Sequence, residues 1–451
     1  MSGFAGFWAR ERIVAPPGWS RWLVPPAALS IHLAIGQVYA WSAFKPALEK
    51  AMGIGGVGSA LPFTLGIVML GLSAAVFGTR VDARGPRWAM AVASACFVAG
   101  FLISAFGVWI GWYWLVVLGY GGVGGIGLGI GYISPVSTLI KWFPDRPGLS
   151  TGIAIMGFGG GALIANPWTA AMLASFGADR NGIALAFLVH GVVYAVFMTM
   201  GWLLIRVPAD GWKPAGWDPA VQKARALVST ASVSAANAIR TPQFWLLWIV
   251  LCFNVTAGIG ILERANPIYQ DFFKGTAPAA QITAAATAFV SILSLANMLG
   301  RVVWSSLSDV IGRKNIYRLY LGLGALLYVV LTFVGEGNKV VFLLCTMLIL
   351  SFYGAGFATI PAYLRDLFGT YQVGAIHGRL LTAWSTAGVL GPIIVNAIAD
   401  ARSDVAGPAR YTPAFVIMIV LLALGFVANE LVKPVASTWH EPAVDRQEVS
   451  A

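Results

Sequence analysis

The sequence predicts an all-α membrane protein in which twelve transmembrane helices form two pseudo-symmetric six-helix bundles. Three observations carry that expectation. First, the 451 residues are 58% hydrophobic and only 10% charged, a balance far outside that of soluble globular domains. Second, apolar runs fall near 22–44, 59–79, 88–109, 113–140, 148–173, 182–205, 243–263, 281–308, 315–335, 340–363, 376–399 and 411–432, each close to the ~20 residues that cross a bilayer. Third, the turn after the second run, Gly78 to Arg87, carries Asp82, Gly85 and Arg87, and the turn after the eighth, Ser305 to Lys314, carries Asp309, Gly312 and Arg313. In lipid only helices or closed barrels satisfy every backbone group, and these runs are too long and too uniformly apolar for barrel strands.

Taken in order, residues 1–21 hold Arg10, Glu11, Arg12 and Arg21 but no apolar core ending in a small-residue cleavage site. They read as a cytoplasmic tail rather than a signal peptide, with the first helix directing insertion. The first six runs span 22–205, a polar linker covers 206–242, the second six span 243–432, and a second tail covers 433–451. Twelve spans put both tails on one side. Basic clusters such as Arg80, Arg84, Arg87 and Arg313, Lys314, Arg318 fall on that side, while the opposite turns hold scattered Lys45, Lys50 and Lys339. An inner (plasma) membrane location with both termini cytoplasmic follows from that excess. Within the linker, Val221 to Ile239 has the composition of an interfacial amphipathic helix.

The paired turns have a mechanical meaning. Asp82 and Asp309 can accept the free amides of a helix start or pair with Arg87 and Arg313, while Gly85 and Gly312 let the chain reverse. Such a latch would favour one conformation and break in another. Spaced glycines (Gly121, Gly125, Gly129 in the fourth run, Gly152, Gly157, Gly161 in the fifth, Gly378, Gly388, Gly391 in the eleventh) read as close helix packing rather than a binding loop.

Arg301 is the residue that points to function. It sits past the middle of the eighth run, where a guanidinium costs about 2.5–3.5 kcal/mol and normally faces a polar cavity with a partner. Asn297 lies one turn earlier on the same face. No acid lies between Asp271 and Asp309, so the missing anion is expected to be a ligand. Arginine's planar fork fits a carboxylate in a way that lysine does not. The plainer alternatives are snorkelling to the headgroups or pairing with Asp309.

The Gly78–Arg87 turn and its weaker copy at Ser305–Lys314 resemble those of the major facilitator superfamily, a fold of two six-helix bundles around a central site. More narrowly, Gly36 to Ser42, Gly129 to Pro135, Lys141 to Pro144, Asn297 to Arg301, Pro361 to Tyr363 and Gly374 to Pro392 are similar to the oxalate/formate antiporter family, kin of the animal monocarboxylate carriers. That resemblance implies that Arg301 contacts a substrate carboxylate and that Tyr39, Tyr132 and Tyr353, on the first, fourth and tenth helices, line the cavity. It also exposes a departure: Trp384 stands where the oxalate exchanger has a second cation, and no lysine matches the animal carriers' first-helix lysine. One deep cation balances one carboxylate, and a second charge left unpaired there would be expensive. A monocarboxylate such as pyruvate, lactate or formate is therefore expected, with a dicarboxylate antiporter as the alternative.

Among the remaining polar residues, Gln37, Ser134, Asn254 and Asn396 are candidate cavity or interhelix contacts, and His32 and His190 read as neutral, satisfied histidines. His377 and Arg379, at the inner mouth of the eleventh run, are candidates for attracting an anion, shuttling a proton or serving as a second cation, with headgroup anchoring the plainer role of Arg379. No acid lies at mid-depth, so proton co-transport and anion exchange both stay open. Cys96, Cys252 and Cys345 lie in apolar runs without metal-ligand spacing. No cofactor or metal is expected. The charge of +11 is dispersed over short loops, which argues against nucleic acid. No nucleophile–base grouping points to an enzyme, and the linker and tail look too short for a sensor's output module. A monomer in the bilayer is expected.

Overall fold

A computed structural model describes residues 10–217, 229, 231–335 and 337–441. Among the described residues twelve helices are long and apolar enough to cross a membrane: α1 (Arg21–Ala43), α2 (Gly58–Arg84), α3 (Pro86–Ile110), α4 (Tyr113–Trp142), α5 (Pro147–Phe176), α6 (Arg180–Leu204), α7 (Pro242–Leu262), α8 (Ala279–Ile311), α9 (Arg313–Val334), α10 (Lys339–Phe368), α11 (Val373–Ala401) and α12 (Thr412–Leu431). The described residues contain no strand, only one bridge between Val14 and Val207.

Local chemistry sets the ends. Proline at the first helical position, where no amide partner is needed, begins α3, α5 and α7. Asp179 and Asn338 cap α6 and α10 by accepting from Gly182 and Val341. Gly85 and Gly312 hold φ of +85° and +90° between α2 and α3 and between α8 and α9, a conformation that a side chain would strain. The two repeated turns thus share one backbone solution.

Three spans depart from regular α-helix. α1 tightens to a 3₁₀-helix over Gly36–Ala43, α4 widens to a π-helix over Val117–Gly124, and α11 is interrupted between Leu380 and Thr382. Such breaks often mark functional segments.

Within the first six helices, α1 packs on α5 and α6, α2 on α4, and α3 on α4 and α6; within the second six, α7 packs on α11 and α12, α8 on α10, and α9 on α10 and α12. The two sets meet along α2–α11, α5–α8 and α5–α10. α8 shows how composition sorts its faces. Leu295, Leu299, Val303 and Val310 are exposed to the membrane side, whereas Asn297, Gly300, Arg301, Ser305 and Ser308 are buried. With no water to drive association, small and polar residues make the interhelix face.

The interfacial helix expected over 221–239 is not what forms in its described part. Residues 221–228 and 230 lie outside the described residues. From 231 onward only Ala235–Ala238 is helical, and the segment is tied to the α10–α11 turn: Val233 N–H donates to Phe368 O at 2.9 Å and Ala235 N–H to Gln372 Oε1 at 2.8 Å. Backbone pairing with a protein loop replaced apolar burial in lipid. The three cysteines lie in spans, Cys252 and Cys345 buried and Cys96 partly so, as packing residues.

Candidate functional site

Arg301 is fully buried where α5, α8 and α10 meet. Its Nε donates to Asn297 Oδ1 at 3.1 Å, one turn back, and its Nη1 donates to the Ile155 carbonyl of α5 at 3.2 Å. Nη2 has no partner. A β-carbon at Gly159 would stand 2.8 Å from Arg301 Nε, so only glycine leaves this slot. Neither plainer reading survives: the side chain does not reach a headgroup, and Asp309 is engaged elsewhere. Among the described residues no carboxylate pairs with Arg301.

Aromatic rings close around the guanidinium. Its carbon lies 5.8 Å from the Phe158 centroid and 5.5 Å from that of Phe357, at cation–π range. Trp384 packs on Phe357 at 4.3 Å, on Phe158 at 5.3 Å and on Tyr132 at 5.4 Å. The Tyr39 and Tyr353 hydroxyls bond to each other at 2.9 Å across the two sets of helices. Tyr39 and Tyr132 both lie within interaction range of Arg301. Of these groups Tyr39 alone keeps partial exposure.

The site's electrostatics are one-sided. Arg301 Nη2, Tyr132 Oη, Trp384 Nε1 and His377 Nε2 are buried without partners. An unmet buried polar group costs about 1–3 kcal/mol. Arginine and tryptophan can only donate, and tyrosine and histidine can donate as well. All four groups can donate, and the Tyr132 hydroxyl, within range of Arg301, can also accept; an anionic oxygen fits such a group of donors.

The expected residues separate on this map. Arg301, Tyr39, Tyr132, Tyr353 and Trp384 converge. Asn297 is present, yet its Oδ1 already holds Arg301, so it positions the guanidinium. Gln37 does not join them: it accepts from Tyr120 at 2.9 Å, and that ring packs with Trp41, Phe101 and Phe187 inside the first six helices. His377 lies in the second turn of α11, two residues after Ala375, and is buried, 5.9 Å from the Tyr132 ring. Arg379 turns to the linker, its Nη1 donating to the Ala235 carbonyl. Ser134 and Asn254 bond to the Pro86 and Phe352 carbonyls at 3.4 Å as interhelix contacts. Phe158, Phe357 and the Ile155 carbonyl were not anticipated. Phe158 sits in a glycine-rich run that signalled only packing, and a carbonyl leaves no signature in sequence.

At the end that carries the termini, the repeated acids cross between halves. Asp82 accepts from Ala375 N–H at the start of α11 at 2.8 Å. Asp309 accepts from Gly148 and Leu149 N–H at the start of α5 at 2.8 and 2.9 Å. Each carboxylate thus caps the opposite half's helix, where the dipole favours negative charge. Arg313 bridges Asp309 at 2.6 Å and Asp366 at 3.1 Å, and Arg87 is buried at the start of α3.

Comparison with known proteins agrees with this architecture. Residues 27–364 and 265–450 match the family model of the Major Facilitator Superfamily. The chain is 27% identical to the oxalate:formate antiporter of Oxalobacter formigenes over 379 residues, 83% of each protein. It is 28% identical to apicoplast pyruvate carrier 1 of Toxoplasma gondii over 59% of this chain and 56% of that one. Among solved structures, the E. coli fucose:proton symporter FucP superposes with a TM-score of 0.68 at 14% identity, covering 90% of this chain and 97% of the symporter. A bacterial ferroportin homologue in the outward-facing state gives 0.63 at 16%, covering 90% and 98%. Relatives and fold alike are transporters and not enzymes, and the helix content is that of a multi-pass membrane protein: the chain belongs to the major facilitator superfamily.

Proposed function

We propose that this protein carries a small monocarboxylate, of the pyruvate, lactate or formate class, across the inner membrane by alternating access, with both termini cytoplasmic and the monomer as the working unit. One observation carries the reading: a fully buried arginine with a free Nη2 and no carboxylate partner, ringed by further unmet donors. The carboxylate bridges Arg301 and the Tyr132 hydroxyl, Trp384 and Tyr353 close the ring wall, and the halves at 22–205 and 243–432 rock about this centre. The Asp82 and Asp309 caps hold the cytoplasmic end shut. The relatives are named for small carboxylates: formate and pyruvate carry one carboxylate, and oxalate two.

Counterflow of labelled pyruvate, lactate and formate in proteoliposomes tests the reading. Arg301→Lys is expected to abolish it while leaving membrane insertion intact, because an ammonium cannot keep both the Asn297 and Ile155 contacts and still present a fork. Normal transport by that variant would refute the assignment.

A second reading has one observation in its favour. His377 Nε2 is buried and free near Tyr132, so a protonated His377 would balance the far end of a dianion such as oxalate. Competition between pyruvate and oxalate separates the two readings. Flux of either kind would exclude a carboxylate sensor.

A further inference from the structure

His32 on α1 is fully buried, and its two ring nitrogens face two backbone carbonyls. Nδ1 stands 2.5 Å from Ala154 O on α5, and Nε2 stands 3.1 Å from Tyr132 O on α4. A carbonyl only accepts. A neutral imidazole has one N–H and one lone pair, so either tautomer would aim a lone pair at a carbonyl oxygen; the imidazolium satisfies both. His190 is the internal control. Its Nδ1 donates to Ala186 O at 2.9 Å and its Nε2 meets the Thr169 hydroxyl at 3.2 Å, and a hydroxyl can donate, so a neutral ring fits there. A neutral ring thus leaves His190 satisfied, whereas at His32 it leaves one of the two carbonyls without a donor, which protonation of the ring supplies.

The His32 cradle is built from the backbone of the substrate site. Ala154 O holds His32, and the next carbonyl along α5, Ile155 O, holds Arg301. Tyr132 offers its carbonyl to His32 and its unmet hydroxyl to the centre, and its ring lies 5.4 Å from the imidazole. Of the titratable groups on surrounding helices, α4 brings Tyr132, α8 brings Arg301 and α11 brings His377, the last two acting through space. α5 brings none. α3 brings Arg87 and Cys96, and α6 brings His190 and Tyr194, which stack with Phe101 and Trp168 in a separate aromatic layer. No carboxylate among the described residues bonds to the ring.

We propose that His32 is the proton-binding residue that couples carboxylate movement to proton movement, so that one proton travels with each monocarboxylate. The inference rests on the carrier reading above. Two cations on successive carbonyls repel, and a carboxylate on Arg301 cancels that repulsion. Anion and proton therefore bind cooperatively, each raising the other's affinity by the same factor. The charge count is consistent. The empty site carries the arginine's single positive charge, and the loaded site carries arginine, imidazolium and carboxylate, again one positive charge. Loaded and empty carriers then move the same charge. The proton joins the ring's lone pair from water on one side and returns to water on the other, and no other bond changes.

The test uses proteoliposomes enclosing pyranine, with pyruvate, lactate and formate as probes. Wild-type uptake is expected to acidify the lumen by one proton per carboxylate. In His32→Gln, acid-gradient accumulation should fall by about tenfold or more, in line with ordinary coupling factors of about 5–150. Lumenal acidification should vanish, while carboxylate–carboxylate counterflow continues at reduced rate and loses its dependence on pH between about 5.5 and 7.5. Substrate-linked acidification by His32→Gln overturns the inference, as does wild-type uptake without protons, and in that second case the carrier reading stands. Absence of counterflow for all three probes removes the carrier reading and this inference with it. Should the variant fail to fold, detergent-solubilised wild type mixed with pyruvate in weak buffer is expected to take up about one proton per bound pyruvate, and Arg301→Lys none; no uptake by wild type refutes the coupling.

Discussion

At the scale of single residues, the site is defined by what its groups lack. Trp384 gives the sharpest test. An ammonium at that position would put a second permanent cation beside Arg301, which a monocarboxylate cannot balance. Trp384→Lys is expected to shift competition from pyruvate toward oxalate by about tenfold or more, taking charged hydrogen bonds at about 1.5–3 kcal/mol; unchanged selectivity would show that the indole does not stand at the far carboxylate. Gly159 tests the guanidinium's placement. In Gly159→Val the new side chain meets Arg301 Nε and Cδ, 2.8 and 3.2 Å from the β-carbon. Displacing a charge-assisted contact should weaken pyruvate binding by about 10- to 100-fold at normal membrane abundance. Arg301 itself was legible in sequence because a lone cation in an apolar run is rare. Phe158 was not, because a single aromatic among Gly157, Gly159, Gly160 and Gly161 has the pattern of any packed helix. The burial of His377 was not legible, because nothing in the sequence marks where α11 sinks into the bundle.

At the scale of elements, the acids at the ends of α2 and α8 cap helices they are not covalently near. Asp309→Asn keeps the shape but removes the charge that two amides and Arg313 share. A cap of this kind contributes about 0.5–2 kcal/mol, so the population open at that end should rise by about 2- to 30-fold. A cysteine placed at Ser150, 1% exposed at the start of α5, would report it as faster maleimide labelling. Labelling at the unaltered rate would mean that the caps do not set the equilibrium. The acid–glycine–base pattern was readable twice over, and the repeat itself argued for a shared role. Which helix each acid would cap was not readable, because that depends on how the two sets of six dock. The linker failed for a related reason: its partners, Phe368 and Gln372, lie more than a hundred residues away.

At the scale of the whole molecule, twelve apolar runs and an acid–glycine–base turn in each half were enough to set the fold, since the bilayer leaves a helical chain few alternatives. The closed centre implies that ligand and packing act together. Pyruvate at one hundred times its dissociation constant should stabilise the protein by about 2.7 kcal/mol. A thermal-shift titration should therefore show a rise for wild type and none for Arg301→Lys. Equal shifts in both would place binding away from α8.

α8 runs 33 residues without interruption, about 50 Å at ordinary helical rise, whereas the hydrocarbon core is about 30 Å thick. It must lean or protrude, and rocking changes how far. Turnover should consequently depend on acyl-chain length, because short-chain lipids would favour the more inclined arrangement and long-chain lipids the more upright one.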